Sequence, residues 1–325
     1  LSDVADVPAT VERARAGDRR AVARLVTLVE NASPLLRPVM AALAPYTGRA
    51  RVIGLTGAPG VGKSTTTSGL VSAYRSRGSR VGVLAVDPSS PFTGGALLGD
   101  RVRMQEHSTD EGVYIRSMAS RGQLGGLAWA TPQALRVLDA AGCDVVLVET
   151  VGVGQSEVDV AGLADTTVVL LAPGMGDAVQ AAKAGVLEVG DVYAVNKADR
   201  EGADAAVREL NGMLALGERR GPGDWRPPIV KTVAARGDGV SDLVAAVEQH
   251  ATWLERTGTL SARRHRRAER EVEAIALTAL RERLAARRGG QELARLADLV
   301  VSGELDPYGA ADRLVEALTG VAAPL

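Results

Sequence analysis

Cysteine and aromatic residues are scarce in this chain of 325 residues, and their scarcity excludes two kinds of protein. The single cysteine, Cys143, cannot form a disulfide within the chain, which excludes the disulfide-rich secreted class. Only 3% of the residues are aromatic and Phe occurs once, so there is no obvious stacking platform for single-stranded nucleic acid. We therefore expect a reducing, cytoplasmic environment and a core of Val, Leu, Ile and Ala.

Excess charge and long apolar runs are also lacking. The 38 basic and 39 acidic residues give a formal net charge of −1, so the chain as a whole carries no electrostatic signal for nucleic acid or an anionic membrane. No run approaches the ~20 apolar residues that span a bilayer, and the first residues do not resemble a secretory leader. We expect no nucleic-acid partner and no membrane partner.

Short β-branched apolar runs alternate with amphipathic stretches of helix length in the middle of the chain. This alternation is typical of βαβ units, and it predicts an α/β fold with a mostly parallel central sheet flanked by helices. Helical spacing predicts an N-terminal extension, 1–47, and a C-terminal extension, 259–325, on either side of an α/β domain, 48–258. The predicted strands are 51–57, 80–87, 113–118, 143–150, 165–173, 191–199 and 228–234.

The sequence GAPGVGKST follows the first predicted strand and opens a helix, which is the context of the phosphate-loop pattern G-x-x-x-x-G-K-S/T. Its glycines would let backbone N–H groups turn towards the β-phosphate. Lys63 would reach the β- and γ-phosphates as a catalytic residue, and the hydroxyl of Ser64 would bind Mg²⁺. The predicted phosphate-binding residues are Gly57, Ala58, Pro59, Gly60, Val61, Gly62, Lys63, Ser64 and Thr65.

The sequence NKAD ends a predicted strand further along the chain. The carboxylate of its aspartate could accept hydrogen bonds from two N–H groups of guanine, and adenine has no such pair of donors. We therefore expect GTP and GDP as ligands and predict that the chain is a GTPase. Val233 stands where GTPases usually have Ser, but the backbone donor at Ala234 would survive that change. The predicted guanine-site residues are Asn196, Lys197, Asp199, Val233, Ala234 and Ala235.

Acidic residues at predicted strand ends are candidates for the Mg²⁺ side of the site. Glu149, in ETVGVGQSE, replaces the usual Asp, so contact through a water suits it better than direct ligation. Asp87 and Asp100 are further candidates, although either could instead be a helix cap or a turn residue. Gln155 could orient the attacking water.

His107, His250 and His265 lie far apart without Cys or Glu at ligand spacing, so we predict no transition-metal site.

Two features of the C-terminal extension allow more than one interpretation. The basic run 263–267 could contact phosphate, but a solvated helix face paired with Glu269, Glu271 and Glu273 is the expected arrangement. The apolar positions exceed what one narrow seam needs, which favours a homodimer contact. These positions are Ile275, Leu277, Leu280 and Leu284.

Of the two long loops in the α/β domain, 88–99 is expected to be functional and 217–228 to be a plain surface loop.

Taken together, these motifs resemble those of one family along nearly the whole chain. LVTLVEN, the phosphate loop, VLAVDPSSPFTGGALLGDRVRM, ETVGVGQSE, PGMGDAVQAAKAG and NKAD look like the methylmalonyl-CoA mutase-associated GTPases of the MeaB/ArgK group. The resemblance implies a chaperone that gates adenosylcobalamin delivery to methylmalonyl-CoA mutase and protects that enzyme. It also implies a dimer formed by the C-terminal helices, and a third switch in which Lys183, a catalytic candidate, lies with Asp177 and Gln180.

The cofactor should be carried by the mutase, because the Asp-x-His-x-x-Gly signature of cobalamin-binding domains is absent from this sequence. Three other functions remain open at this point. A P-loop kinase or ATPase serving arginine or ornithine transport would be expected to prefer ATP, which NKAD argues against. A metal-insertion GTPase would need Cys or His ligands that the sequence does not show. A pure scaffold would tolerate loss of Lys63 and Ser64.

Overall fold

The computed structural model describes residues 7–87, 104–119, 130–150, 156–174, 188–216, 221, 223–284 and 290–319. The chain divides into two compact units, residues 1–264 and 265–325. The three-part division at 47/48 and 258/259 stays a prediction.

Seven strands in the described residues form one sheet at the centre of the first unit, in the order β3-β2-β4-β1-β5-β6-β7. Every neighbouring pair is parallel, so all the carboxyl ends meet at the same edge. This confirms the predicted α/β fold with a parallel sheet. The strands are β1 Arg51–Thr56, β2 Val81–Asp87, β3 Val113–Ala119, β4 Val145–Glu149, β5 Thr166–Leu171, β6 Val192–Val195 and β7 Ile229–Lys231.

Helices connect the strands and continue beyond the sheet. None of the helices in the described ranges is both long enough and apolar enough to cross a membrane. The helices are α1 Val7–Arg15, α2 Arg19–Glu30, α3 Leu36–Leu43, α4 Lys63–Arg75, α5 Thr131–Ala140, α6 Ser156–Leu163, α7 Ala203–Leu216, α8 Val240–Thr257, α9 Thr259–Leu284, α10 Gly290–Val301 and α11 Pro307–Thr319, with short 3₁₀ turns at Ala44–Tyr46, Gln105–His107 and Ala234–Arg236.

The two faces of the sheet bury alternate side chains of the same strand, as the two-residue period of a strand requires. On β1, Val52 packs in the core that includes the N-terminal helices, whereas Ile53 and Leu55 pack in the core beneath α4 and α8. Leu25 of α2 and Leu43 of α3 are completely buried. The N-terminal helices therefore belong to the core on one face of the sheet, where they pack on α5.

The first two arginines of the basic run bind aspartates at the amino edge of the sheet. Arg263 donates to both carboxylate oxygens of Asp191 at 2.9 and 2.8 Å, and Arg264 donates to Asp165 at 2.8 Å. The prediction of a solvated face paired with glutamates is wrong for these two residues. Their partners lie 72 and 99 positions earlier in the chain, where helical spacing gives no indication of them.

His250 of α8 is buried beside these ion pairs. It is 0% exposed, its Nδ1 lies 2.9 Å from the hydroxyl of Thr166, and its Nε2 lies 3.3 Å from Asp191. Trp225 and Trp253 flank it, with ring centroids 4.8 and 5.8 Å away. Burial disfavours the charged imidazolium and lowers the pKa of His250 from 6.5 to about 4, although the Asp191 carboxylate opposes this shift.

This shift predicts a loss of stability in acid. Between pH 6.5 and about 4 the unfolded chain binds a proton at this position and the folded chain does not, so the free energy of unfolding falls as the pH falls. The expected loss is up to about 3 kcal/mol. Urea unfolding of the wild type and of His250→Gln at pH 7, 5.5 and 4.5 measures it. The variant should lose this part of the slope, and parallel pH profiles would contradict the prediction.

Candidate functional site

The predicted phosphate loop lies at the carboxyl edge of the sheet, between β1 and α4. Ligand sites of open α/β folds form at this edge. Gly57, Gly60 and Gly62 have φ values of 140°, 82° and 100°, a backbone conformation that glycine adopts without strain. A Cβ atom on Gly57 would lie 2.2 Å from the carbonyl oxygen of Leu170, so the loop needs glycine there for close approach to β5.

Lys63, the first residue of α4, bends back over this loop. Its Nζ donates hydrogen bonds to the carbonyl oxygens of Gly57 at 2.8 Å and Ala58 at 3.1 Å. The side chain is buried, with an exposed fraction of 7% for the residue. The ammonium group is therefore held where the loop begins.

Glu149, the last residue of β4, is joined to the helix that follows the loop. Its Oε1 accepts a hydrogen bond from the Ser64 hydroxyl at 2.6 Å, and its Oε2 accepts one from the Thr67 hydroxyl at 2.8 Å. The carboxylate is buried beside two polar groups of α4. Thr67 was not among the predicted site residues, although its position three residues after Ser64 puts both hydroxyls on one face of the helix.

Asn196 links the phosphate loop to the segment after β7. Its Nδ2 donates to the carbonyl of Val61 at 2.8 Å, and its Oδ1 accepts from the backbone N–H of Ala234 at 3.0 Å and from the Thr232 hydroxyl at 3.2 Å. The structure thus brings NKAD and the 233–235 segment together. The N–H of Ala234, proposed as a donor to guanine, here donates to Asn196.

The other residues of NKAD face in different directions. Lys197 has a φ of 57°, unusual for a residue with a side chain, and its Nζ donates to the carbonyl of Gly60 at 2.6 Å. Asp199 is partly exposed, and its Oδ2 lies 3.7 Å from Nη2 of Arg236. Arg236 was not among the predicted site residues, because it follows the 233–235 segment at a position where no motif specifies an arginine.

Several predicted residues lie outside the described residues. They are Asp100, Gln155, Asp177, Gln180 and Lys183. Asp87 is the last residue of β2, but its side chain is not described. Within the described ranges, no three His, Cys, Asp or Glu side chains gather into a group that could hold a metal ion.

Comparison with known proteins identifies the family of this chain. Residues 22–289 match the profile of the family described as methylmalonyl-CoA mutase-associated GTPase MeaB. The chain belongs to this family. The predicted resemblance is confirmed, and so is the prediction of a P-loop GTPase that binds a guanine nucleotide.

Individual relatives of the family match nearly the full chain. A putative GTPase of Pyrococcus abyssi is 49% identical over 95% of this chain and 96% of its own length. The mitochondrial methylmalonic aciduria type A homolog of Mus musculus is 35% identical over 93% of this chain and 77% of its own. The crystal structure of a LAO/AO transport system kinase has a TM-score of 0.73 and 27% identity, over 98% of this chain and 99% of that one.

Proposed function

We propose that this GTPase is a chaperone of methylmalonyl-CoA mutase that gates delivery of adenosylcobalamin to that enzyme and protects it from inactivation. The family match over residues 22–289 carries the proposal, because the family is described by its association with this mutase. The relative named for methylmalonic aciduria supports the same client. In this proposal the mutase carries the cobalamin and the present chain supplies the nucleotide-dependent step.

The roles of the site residues are part of this proposal. Backbone N–H groups of the 57–62 loop bind the β-phosphate, and Lys63 exchanges its bonds to loop carbonyls for bonds to the β- and γ-phosphates. The carboxylate of Asp199 accepts hydrogen bonds from two N–H groups of guanine. Asn196 and Lys197 hold the base-binding segment against the loop, which their bonds to Val61 and Gly60 support.

The donor chemistry beside Ser64 fits Mg²⁺. The Ser64 hydroxyl and the Glu149 carboxylate offer oxygen atoms 2.6 Å apart, and Mg²⁺ prefers oxygen ligands from a few protein groups together with phosphate and water. Ser64 would bind the ion, with Glu149 acting through a water, and Asp87 and Asp100 remain sequence-based candidates. When bound, Mg²⁺ neutralises charge on the phosphate oxygens.

Glu149→Gln is expected to raise the Mg²⁺ concentration needed for half-maximal GTP hydrolysis by about 10- to 100-fold. The change keeps the side-chain volume and removes the negative charge beside Ser64. Phosphate release measured across a Mg²⁺ titration checks this result. Glu269→Gln is the matched control, because it removes the same charge from an exposed residue of α9. Equal Mg²⁺ requirements in Glu149→Gln and wild type would remove Glu149 from the metal site.

Hydrolysis by the isolated protein should be slow. Neither the phosphate loop nor NKAD contains an arginine that could stabilise the transferring phosphoryl group, and such a group changes the rate by about 10³- to 10⁵-fold. A partner would then complete the site.

The γ-phosphate would favour one arrangement of the loops that follow β2, β4 and β5, and hydrolysis would release them. This change would couple the state of the nucleotide to contact with the client.

The decisive experiment measures GTP turnover and adenosylcobalamin retention with and without the mutase from the same organism. Mutase should accelerate turnover in the wild type. Replacing Asp177, Gln180 and Lys183 together by Ala should leave GDP affinity nearly intact while abolishing that acceleration. If the mutase changes neither turnover nor cofactor retention, the client assignment is wrong and the GTPase assignment stands.

We also propose a homodimer formed through the C-terminal unit. Val272, Ile275, Leu277 and Leu280 of α9 are 67%, 47%, 47% and 50% exposed within the chain, which is unusual for a run of large apolar residues. Sedimentation equilibrium of the wild type and of Ile275→Glu/Leu280→Glu tests this. A monomeric wild type would contradict it.

The likeness to a LAO/AO transport system kinase supports a second candidate function. A kinase transfers the γ-phosphoryl group to another molecule, whereas a GTPase transfers it to water. Incubation with γ-labelled GTP or ATP and the candidate transport protein separates the two. Stable label on that protein would favour the kinase, and release of all label as inorganic phosphate would favour the GTPase.

A further inference from the structure

A cavity of about 700 Å³ opens at the amino edge of the sheet, at the other end of β1 from the phosphate loop. Arg51, the first residue of β1, and Val145, the first residue of β4, both line it. The phosphate loop follows β1 directly, so one strand separates this cavity from the nucleotide site. Its volume is within the range of small-molecule sites.

Four arginines from separate parts of the first unit line this cavity. Arg15 ends α1, Arg49 precedes β1, Arg51 begins β1, and Arg77 follows α4. Arg15 bonds to Glu12 and lies 3.5 Å from the ring centroid of Tyr46. Guanidinium groups present planar pairs of donors that match phosphate and carboxylate. The lining is therefore suited to an anion.

The carboxylates of the cavity already have partners within the fold. Asp139 accepts hydrogen bonds from backbone N–H groups, including that of Ala50 at 2.9 Å. Asp144 accepts the backbone N–H of Arg80 at 2.7 Å. Glu248 accepts from the Tyr74 hydroxyl at 3.1 Å and also pairs with Arg51. Asp139 and Asp144 keep their negative charges, but in the described residues neither forms an ion pair with an arginine of this lining.

Arg49 and Arg77 are the two arginines of this lining that form no ion pair within the described residues. In the described part of the chain, neither guanidinium has an ion pair or a side-chain hydrogen bond, and both residues are exposed. Their charges offset those of Asp139 and Asp144, so an anion would be bound through the planar pairs of donors that these two guanidinium groups present. Because they hold no other group in place, their donors are available to a ligand without breaking a bond of the fold.

A smaller cavity of about 260 Å³ adjoins the first, and Arg49 and Arg51 line both. Its two acids are paired, Asp165 with Arg264 at 2.8 Å and Glu255 with Arg51 at 3.9 Å. Aliphatic residues make up half of its lining, and all of them except Leu260 are buried in the fold. These aliphatic residues are Val52, Ile53, Val247, Ala251, Leu254 and Leu260. An apolar group can therefore lie beside an anionic group bound by Arg49.

We propose that these joined cavities form a second ligand site, distinct from the nucleotide site, for a small organic dianion with an apolar part. A phosphate monoester and a dicarboxylate share this chemistry. The anionic group binds Arg49 and Arg77 in the larger cavity, and the apolar part occupies the aliphatic cavity. The proposal does not depend on the client of the GTPase.

Calorimetric titration with phenyl phosphate and with phthalate tests the site. The protein is first saturated with a non-hydrolysable GTP analogue and Mg²⁺, so that the phosphate loop is occupied. At least one probe should bind with a stoichiometry of one, and the tighter probe identifies the phosphate or the dicarboxylate class. Phenyl phosphate should also bind more tightly than inorganic phosphate if the aliphatic cavity is used.

Arg49→Ala/Arg77→Ala should weaken binding by about tenfold or more, since each lost bond is to a charged group. Arg20→Ala/Arg208→Ala is the matched control, because it removes the same charge from exposed positions that do not line either cavity. Equal thermal unfolding of both variants shows that the fold is retained. Absence of binding to the wild type, equal weakening in the control, or binding only without the GTP analogue would overturn the proposal.

Discussion

Lys63→Ala is expected to reduce the rate of GTP hydrolysis at saturating GTP by about 10²- to 10³-fold, the typical effect of removing one preorganised donor from a reacting centre. The Lys63 ammonium lies 2.8 Å from the carbonyl oxygen of Gly57, at the start of the phosphate loop. The other residues of the loop offer backbone N–H groups and hydroxyls without a full positive charge, and the nearby Lys197 ammonium is bonded to Gly60 and belongs to the guanine motif. Release of inorganic phosphate under single-turnover conditions measures the effect.

Lys231→Ala is the control for this experiment. Lys231 is exposed on β7 and pairs with Asp204, so its removal takes away the same charge without touching the loop. The control should hydrolyse GTP at the wild-type rate. Hydrolysis by Lys63→Ala at more than a tenth of the wild-type rate would show that another group stabilises the transferring phosphate.

Asp199→Asn is expected to lower affinity for GTP by roughly tenfold or more and to raise affinity for xanthosine triphosphate. The wild-type carboxylate would accept hydrogen bonds from two N–H groups of guanine. The amide of Asn instead presents an N–H donor, which suits the additional carbonyl of xanthine. Displacement of labelled GDP by GTP, ATP and xanthosine triphosphate measures all three affinities. ATP should compete weakly against the wild type, because adenine would leave the carboxylate without its two donors.

Asp204→Asn is the matched control, since Asp204 is an exposed acid of α7 that pairs with Lys231. It should keep the wild-type order of nucleotides. Equal displacement of GDP by ATP and GTP from the wild type would contradict guanine recognition by Asp199. An unchanged order in Asp199→Asn would place the base-reading group elsewhere.

Tertiary contacts explain where prediction from the sequence was incomplete. The N-terminal helices were expected as an extension, yet Leu25 and Leu43 are buried in a core that they share with the sheet. The amphipathic pattern shows that a helix has an apolar face, but it does not show which surface covers that face. The same limit applies to Arg263, whose charge pattern is compatible with solvent or with a distant aspartate.

The sequence alone determined the α/β class, the phosphate loop and the guanine motif, because each depends on neighbouring residues. Glycine at positive φ, the lysine and serine that open α4, and the two-residue period of β1 are all local properties. Only the tertiary structure decided which distant groups meet. The order of the strands brings Glu149 to Ser64 across 85 positions and Asn196 to Val61 across 135. It also gathers arginines from separate segments around one cavity, since hydrogen bonds and charges act through space and not along the chain.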